Sequence, residues 1–184
     1  RQMCIRDRMM HDDFDSAVQR HQRRVFTFAR YLLSNREEAE DVTQEVLIRL
    51  WDHLGTVEPD RLGGWLLRVT RNACYDRLRS HRSRRRFFAD EAPENATEDA
   101  ASRAPDPEML AGSTELGRRL MDAIGSLREP QRSSIILREI NGLSYREIAE
   151  VLDLTEATVR VTLHRGRRAL REELKEAYHG VAVV

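Results

Sequence analysis

Residues Ser144–Arg171 read SYREIAEVLDLTEATVRVTLHRGRRALR, and the fold turns on how this stretch is parsed. Ser144 followed three residues later by Glu147 is a capping box, so a helix opens at Tyr145. Ile148, Ala149 and Leu152 then share one face, with Ala149 small where a second helix must come close. Asp153-Leu154 supplies a turn, and Thr155 can cap a second helix whose Val159, Leu163 and Leu170 point inward. That phase leaves Arg160, Val161, His164, Arg165, Arg167 and Arg168 near exposed faces. Two short helices with this turn, the second carrying five arginines and no acid between Ala157 and Arg171, have the geometry of a helix-turn-helix whose second helix enters a DNA major groove. The competing reading is a plain helical hairpin with an arginine-rich solvated face. It leaves the coincidence of caps, small packing residue, turn spacing and basic stretch unexplained.

Working outward, the segment before it repeats the helical period. Leu116, Leu120, Ile124 and Leu127 share a face. Pro130 fits the first turn of a further helix that carries Ile135, Ile136 and Ile140 and ends near Asn141 and Gly142. Near the start, Phe14, Val18, Val25, Ala29 and Leu32 recur at spacings of three, four and seven. Ser34 and Glu37 suggest a second capping box, opening a helix with Ala39, Val42, Val46 and Leu50 inside, and Trp51 and Leu54 widening the stripe. Gly55 and Pro59 interrupt it. A third helix begins near Leu62 or Trp65, carries Leu66, Val69, Ala73 and Leu78, and runs into Arg82, Arg84, Arg85 and Arg86. Useful strand alternation and internal repeats are both absent from the sequence.

The expected fold is therefore all-α: two small helical domains, residues 11–88 and 113–178, joined by a flexible acidic linker at 89–112. Pro93, Pro105 and Pro107 break that linker, and its acids repel one another. Residues 1–10 read as a disordered or non-native extension, and 179–184 as a tail. Hydrophobic residues make up 40% of the 184 and charged residues 34%, with a net charge of zero. The balance is local rather than uniform. Trp65–Phe88 sums to +7, Ala89–Glu108 to −6 and Ala157–Arg171 to +5, which is two basic surfaces either side of an acidic spacer and suits two contacts with a polyanion.

The same sequence argues against other classes. No run of 18 apolar residues is present, so membrane insertion is not expected. Cys4 and Cys74 are too far apart to suggest a disulfide framework or a zinc site, and Cys74 reads as a small buried residue. The six histidines follow no metal spacing. With no glycine-rich phosphate loop and no nucleophile elbow, neither a catalytic residue nor a cofactor is expected.

Three stretches carry a resemblance: AEDVTQEVLIRLWDHL at Ala39–Leu54, GGWLLRVTRNACYDRLRSHRSRR at Gly63–Arg85, and LREPQRSSIILREINGLSYREIAEVLDLTEATVRVTLHRGRRALREEL at Leu127–Leu174. In this order, around an acidic spacer, they resemble the bacterial sigma factors of the extracytoplasmic-function (ECF) group within the sigma-70 family. The resemblance implies a cytoplasmic, non-enzymatic initiation factor that binds core RNA polymerase, directs it to promoters and helps melt the −10 region. It also implies two forms of promoter DNA as partner, the duplex and the melted nontemplate strand, and an anti-sigma factor that holds the protein inactive.

Residue roles follow from the same resemblance. Asp41, Gln44, Glu45 and Trp51 match the polymerase-binding helix. The charges and amide would contact polymerase and the ring would anchor, although such acids can equally be a solvated face and Trp51 a core residue. Asn72 matches the asparagine near a pocket for an extruded −10 base, an amide able both to donate and to accept. Around it, Arg68, Arg71 and Arg77 would hold strand phosphates, and Asp76 would accept from a base or orient an arginine. The connector Gly55–Gly64 would help shape that pocket. Arg82 and Arg84–Arg86 would hold duplex phosphate, or simply solvate a helix end. In the second domain Arg160, Val161, His164 and Arg165 match the −35 face, flanked by Arg167 and Arg168. Gly166 stands where alanine is common, at some cost to the helix. The alternative function is a conventional helix-turn-helix regulator acting without polymerase; residues 11–88 do not read as the sensor or dimerisation domain it would need.

Overall fold

The structure, a computed structural model, describes residues 5–89 and 115–179. The expected spacer, whose prolines and acids fall at 90–112, lies outside the described residues, as do residues 1–4 and 180–184. Every regular element among the described residues is helical, in two clusters. The first holds α1 (Ile5–Leu33), α2 (Arg36–His53) and α3 (Pro59–Ala89); the second holds α4 (Glu115–Ser126), α5 (Gln131–Ile135, continuing as a π-helical turn Ile136–Ile140), α6 (Tyr145–Leu152) and α7 (Glu156–His179).

In the first cluster α1 lies against both α2 and α3. Val25, Ala29 and Leu32 are buried as the period requires, joined by Phe28 and Leu33, while Phe14 and Val18 pack at the margin. α1 starts at Ile5, inside the stretch that the sequence suggests is an extension. No proline or glycine interrupts residues 5–33, so nothing local stops the helix there.

The cap of α2 is one residue later than the sequence suggests. Ser34 takes a left-handed conformation (φ 54°) as its N–H closes α1 on the Arg30 carbonyl at 2.9 Å. That leaves Asn35 extended, and its side chain accepts from the Glu38 N–H at 3.0 Å. α2 buries Ala39, Val42, Thr43, Val46 and Leu50. Its C-terminal turn leads into Gly55, whose φ of 84° favours glycine. α3 begins at Pro59, earlier than its apolar pattern suggests, because proline is well suited to a first helical position.

In the second cluster α7 is the hub, contacting α4, α5 and α6. α6 has the expected capping box: the Ser144 hydroxyl accepts from the Glu147 N–H at 3.3 Å, and the Glu147 carboxylate accepts from the Ser144 N–H at 2.7 Å. Asp153 closes α6 in the left-handed region (φ 57°), and the Thr155 hydroxyl accepts from the Thr158 N–H at 3.2 Å to start α7. Val159 and Leu163 are fully buried. Gly166 is also buried, and a Cβ there would sit 2.9 Å from Ile135 Cγ1. The glycine is thus what allows α7 to close on α5.

The two clusters are not separate bodies in this structure. A single apolar core runs through both, and α3 meets α6 while α1 meets α4 and the π-helical turn of α5.

Candidate nucleic-acid interface

The surface of α7 follows from its burial. With Val159, Thr162, Leu163 and Gly166 facing inward, the positions between them are turned to solvent. Arg160, Val161, His164 and Arg165 are all exposed, Val161 to 49%. Arg160 reaches back to Glu156 at 3.9 Å and lies 5.9 Å from the Tyr145 ring centroid. Arg165 has no hydrogen-bond or ion-pair partner among the described residues. The next two arginines differ. Arg167 donates twice to Glu139 Oε1, from Nε at 3.0 Å and Nη2 at 2.6 Å, and Arg168 pairs with Glu172 at 2.9 Å. Arg167 therefore braces α7 against α5, and the exposed row with one unengaged arginine is 160–165.

A second surface lies on α3. Arg68, Arg71, Asn72 and Tyr75 occupy successive turns of one face. Asn72 is exposed. Arg68 and Arg71 instead reach into the second cluster: Arg68 donates to the Glu150 carbonyl, and Arg71 Nε donates to Glu129 Oε1 at 3.0 Å. Beside them the Tyr75 hydroxyl is 3.5 Å from Ser133 Oγ. Burial, with the Glu129 charge next, pushes the Tyr75 phenol well above its usual range, so it stays protonated. Asp76 is exposed and pairs with Arg79 at 3.6 Å. Arg77 does not join this face. It turns toward α2, lying 3.3 Å from Asp41 and 3.9 Å from Glu45. Arg82, Arg84, Arg85 and Arg86 fall on the last turns of α3, and their side chains lie outside the described residues.

The third surface is on α2. Asp41 and Gln44 are exposed and Glu45 is half-buried, bonded to Arg49 at 2.6 Å as well as facing Arg77. Trp51 is both packed and accessible. Its ring meets Phe14 edge-on at 5.1 Å and His11 at 5.8 Å, yet it remains 42% exposed. Between them lies Ile48, 65% exposed and overlooked in the sequence pattern. Its spacing carries the signal: 41, 44, 45 and 48 form one helical row, on which Ile48 is the apolar member.

Other chemistry is sparse. Among the described residues no group of three His, Cys, Asp or Glu side chains is placed to hold a metal, and no helix is long and apolar enough to cross a membrane. Cys74 is buried, and that burial pushes its thiol up to about 12, which keeps it an unreactive packing residue. Of the expected connector Gly55–Gly64, residues 59–64 are the first turns of α3. A Cβ at Gly63 would lie 3.2 Å from the His21 ring, and one at Gly64 would lie 4.0 Å from Val151, so the start of α3 lies at the junction of the clusters.

Among the described residues, an arginine row on an exposed helix after a tight turn and a second basic face on a long helix are surfaces that suit a polyanion. Comparison with known families narrows this. The model for Sigma-70 region 2 matches residues 17–84, and that for Sigma-70, region 4 matches residues 117–170. The chain belongs to the sigma-70 family. Similar proteins include the ECF RNA polymerase sigma factor SigE of Mycolicibacterium smegmatis, 37% identical across 88% of this chain and 61% of SigE. SigW of Bacillus subtilis, also an ECF RNA polymerase sigma factor, is 30% identical across 90% of each chain. Among solved structures, the sigma factor RpoE in complex with the anti-sigma factor NepR from Bartonella quintana aligns with a TM-score of 0.68. It is 28% identical, covering 89% of this chain and 97% of that one.

Proposed function

We propose that this ECF-type sigma factor directs RNA polymerase to promoters through the three surfaces described, one for the enzyme and two for DNA. Asp41, Gln44, Glu45, Ile48 and Trp51 on α2 form the polymerase-docking face, charges and amide around an apolar centre. The α3 face acts at the −10 element. Asn72 reads an unstacked base, Arg68 and Arg71 hold phosphates of the nontemplate strand, and Arg82, Arg84 and Arg85 extend the basic track along the duplex. Arg77 positions Asp41 and Glu45 rather than touching DNA. α6 and α7 work as a helix-turn-helix at the −35 element, with Val161 suited to a thymine methyl and Arg160 and Arg165 to guanine or phosphate. Residues 90–112 tether the two DNA-binding halves and, being acidic, stay off the duplex. An anti-sigma factor is the natural inhibitory partner, as RpoE of Bartonella quintana is found with NepR.

The observation that carries this reading is the α7 row. Arg160, Val161, His164 and Arg165 face solvent together, while the buried residues Val159, Thr162, Leu163 and Gly166 lie on the other side of the helix. Reconstitution with core polymerase tests the whole scheme. The purified chain should confer promoter-specific initiation, and Asp41→Arg with Glu45→Arg should weaken core binding by tenfold or more while leaving helicity intact. Duplex-specific binding and activity without polymerase would point instead to a conventional regulator. Normal core affinity in the double variant would remove the α2 assignment.

A further inference from the structure

The exposed row of α7 treats its two arginines differently. Arg165 has no hydrogen-bond or ion-pair partner among the described residues. Arg160 has two neighbours, and neither uses up its donors. Its guanidinium carbon lies 5.9 Å from the Tyr145 ring centroid, within reach of a cation–π contact. Its Nη2 lies 3.9 Å from Glu156 Oε2, an ion pair too long for a hydrogen bond. A long, flexible side chain is thus given a direction while its N–H groups stay available.

The ring is itself held in place. Tyr145 is the first residue of α6, directly after the Ser144 cap, and it packs against the apolar core. A second guanidinium, that of Arg138 on the π-helical turn, lies 5.1 Å from the same centroid. Arg138 is anchored in turn, because its Nη1 donates to the Leu143 carbonyl at 2.7 Å. The Tyr145 hydroxyl interacts with Arg167, secondary to the Glu139 hydrogen bonds that brace that arginine. Three guanidiniums, from the π-helical turn and from two points on α7, therefore meet on one tyrosine. With only two side-chain torsions, a tyrosine loses little entropy in being fixed this way.

We propose that Arg160 is the guanine-reading arginine of the row, and that Tyr145, which stands on α6 outside it, is the positioning residue that aims it. The proposal rests on the reading of α6 and α7 as a helix-turn-helix at the −35 element. Bidentate recognition of guanine O6 and N7 needs the guanidinium in one plane at one place, whereas a loosely placed cation can meet a phosphate. A side chain oriented in the free protein loses less entropy on the DNA, which favours the more demanding task. Glu156 acts in the same direction. A carboxylate beside Arg160 disfavours a phosphate as its target, but not the uncharged edge of a base.

The test uses holoenzyme, reconstituted from core polymerase and the full chain, with a duplex promoter pool randomised through the −35 region. Sequencing the bound fraction gives base preference position by position. The wild type should prefer guanine, on either strand, at one or more −35 positions. Arg160→Ala should cut that preference at one of them by about fivefold or more. Tyr145→Leu should lower it at the same position by about two- to fivefold, the factor for one exposed cation–π contact, and leave the other positions as they were. Tyr145→Phe keeps the ring and should keep the preference, although it loses the hydroxyl beside Arg167. Should the leucine variant fail to fold, Tyr145→Met removes the ring while retaining apolar bulk, with the same outcome expected. A merely structural tyrosine would lower affinity for the whole pool without changing the preference, and that result overturns the positioning role. If Arg160→Ala flattens no position while the wild type still selects, the proposal falls and the −35 surface stands on its other residues. A wild-type holoenzyme without −35 selectivity removes that surface as well.

Discussion

Gly166 and Ile135 meet where two preferences oppose each other. Alanine would favour the α7 helix by about 1 kcal/mol over glycine, yet its Cβ would stand 2.9 Å from Ile135 Cγ1, inside a contact that must shift. Overpacking of that kind costs roughly 1–3 kcal/mol, so Gly166→Ala should lower stability by on the order of 1 kcal/mol in urea titrations. Adding Ile135→Ala should make the alanine at 166 less harmful than it is alone, a coupling read from a double-mutant cycle. The sequence shows only that the residue is a helical glycine; its reason is a partner 31 positions away. Two arginines nearby separate in the same manner. Among the described residues Arg165 has no hydrogen-bond or ion-pair partner, and Arg167 is bonded to Glu139. Arg165→Ala should weaken holoenzyme binding to −35 DNA. If Arg165 holds a phosphate the salt slope should fall by about one unit, and if it reads guanine discrimination at that base should fall by roughly 1–3 kcal/mol. Arg167→Ala should leave base selectivity unchanged and cost under about 1 kcal/mol of stability, as an exposed pair does. Equal selectivity losses from the two substitutions would contradict this division.

At the scale of the element, α6 depends on its first turn. Ser144 and Glu147 satisfy each other's backbone N–H groups, so Ser144→Ala should cost about 1 kcal/mol. The hydrogen bonds from Ser144 hold the Glu147 carboxyl below its usual value of 4.5. A carboxyl depressed in the folded state stabilises it fully above the unfolded value, and that stabilisation is lost as pH falls through the folded value. The difference between wild type and Ser144→Ala should therefore be full at about pH 7 and shrink at about pH 3, as urea midpoints would report. This cap was legible because every partner lies within four residues. The cap of α2 was legible in kind and one residue out, since the left-handed turn of Ser34 closes α1 and has no signature in a serine. Arg77 illustrates a subtler limit. It lies six residues beyond Arg71 on α3, well off that face at 100° per residue, and the structure turns it to Asp41 and Glu45. Helical phase held that information, but a motif reading groups residues by neighbourhood in the chain.

On the scale of the whole molecule, helix periods showed the two clusters and the order of their elements, and could not show how the clusters meet. Beside the shared apolar core, the junction includes single side chains reaching backbone atoms, such as Arg132 to Tyr31 and Asn141 to Arg24, and no period encodes such a contact. Arg132→Met offers a check on it that leaves Glu129 intact. It keeps much of the buried stem and removes the Arg132 hydrogen bonds to Tyr31 and Ser34, leaving the Tyr31 carbonyl short of this donor at a cost of about 1–3 kcal/mol. Scattering should then give a radius of gyration clearly above the wild-type value, which for a compact chain of 184 residues is about 16 Å. An unchanged radius would mean that the apolar core alone holds the clusters together. The exposed row of α7 takes no part in this junction, and it has a longer-term consequence. Arg160, Val161, His164 and Arg165 neither fill the core nor hold the halves. If the row reads the −35 element as proposed, substitutions there would redirect the chain to a different set of genes while the fold stays as it is.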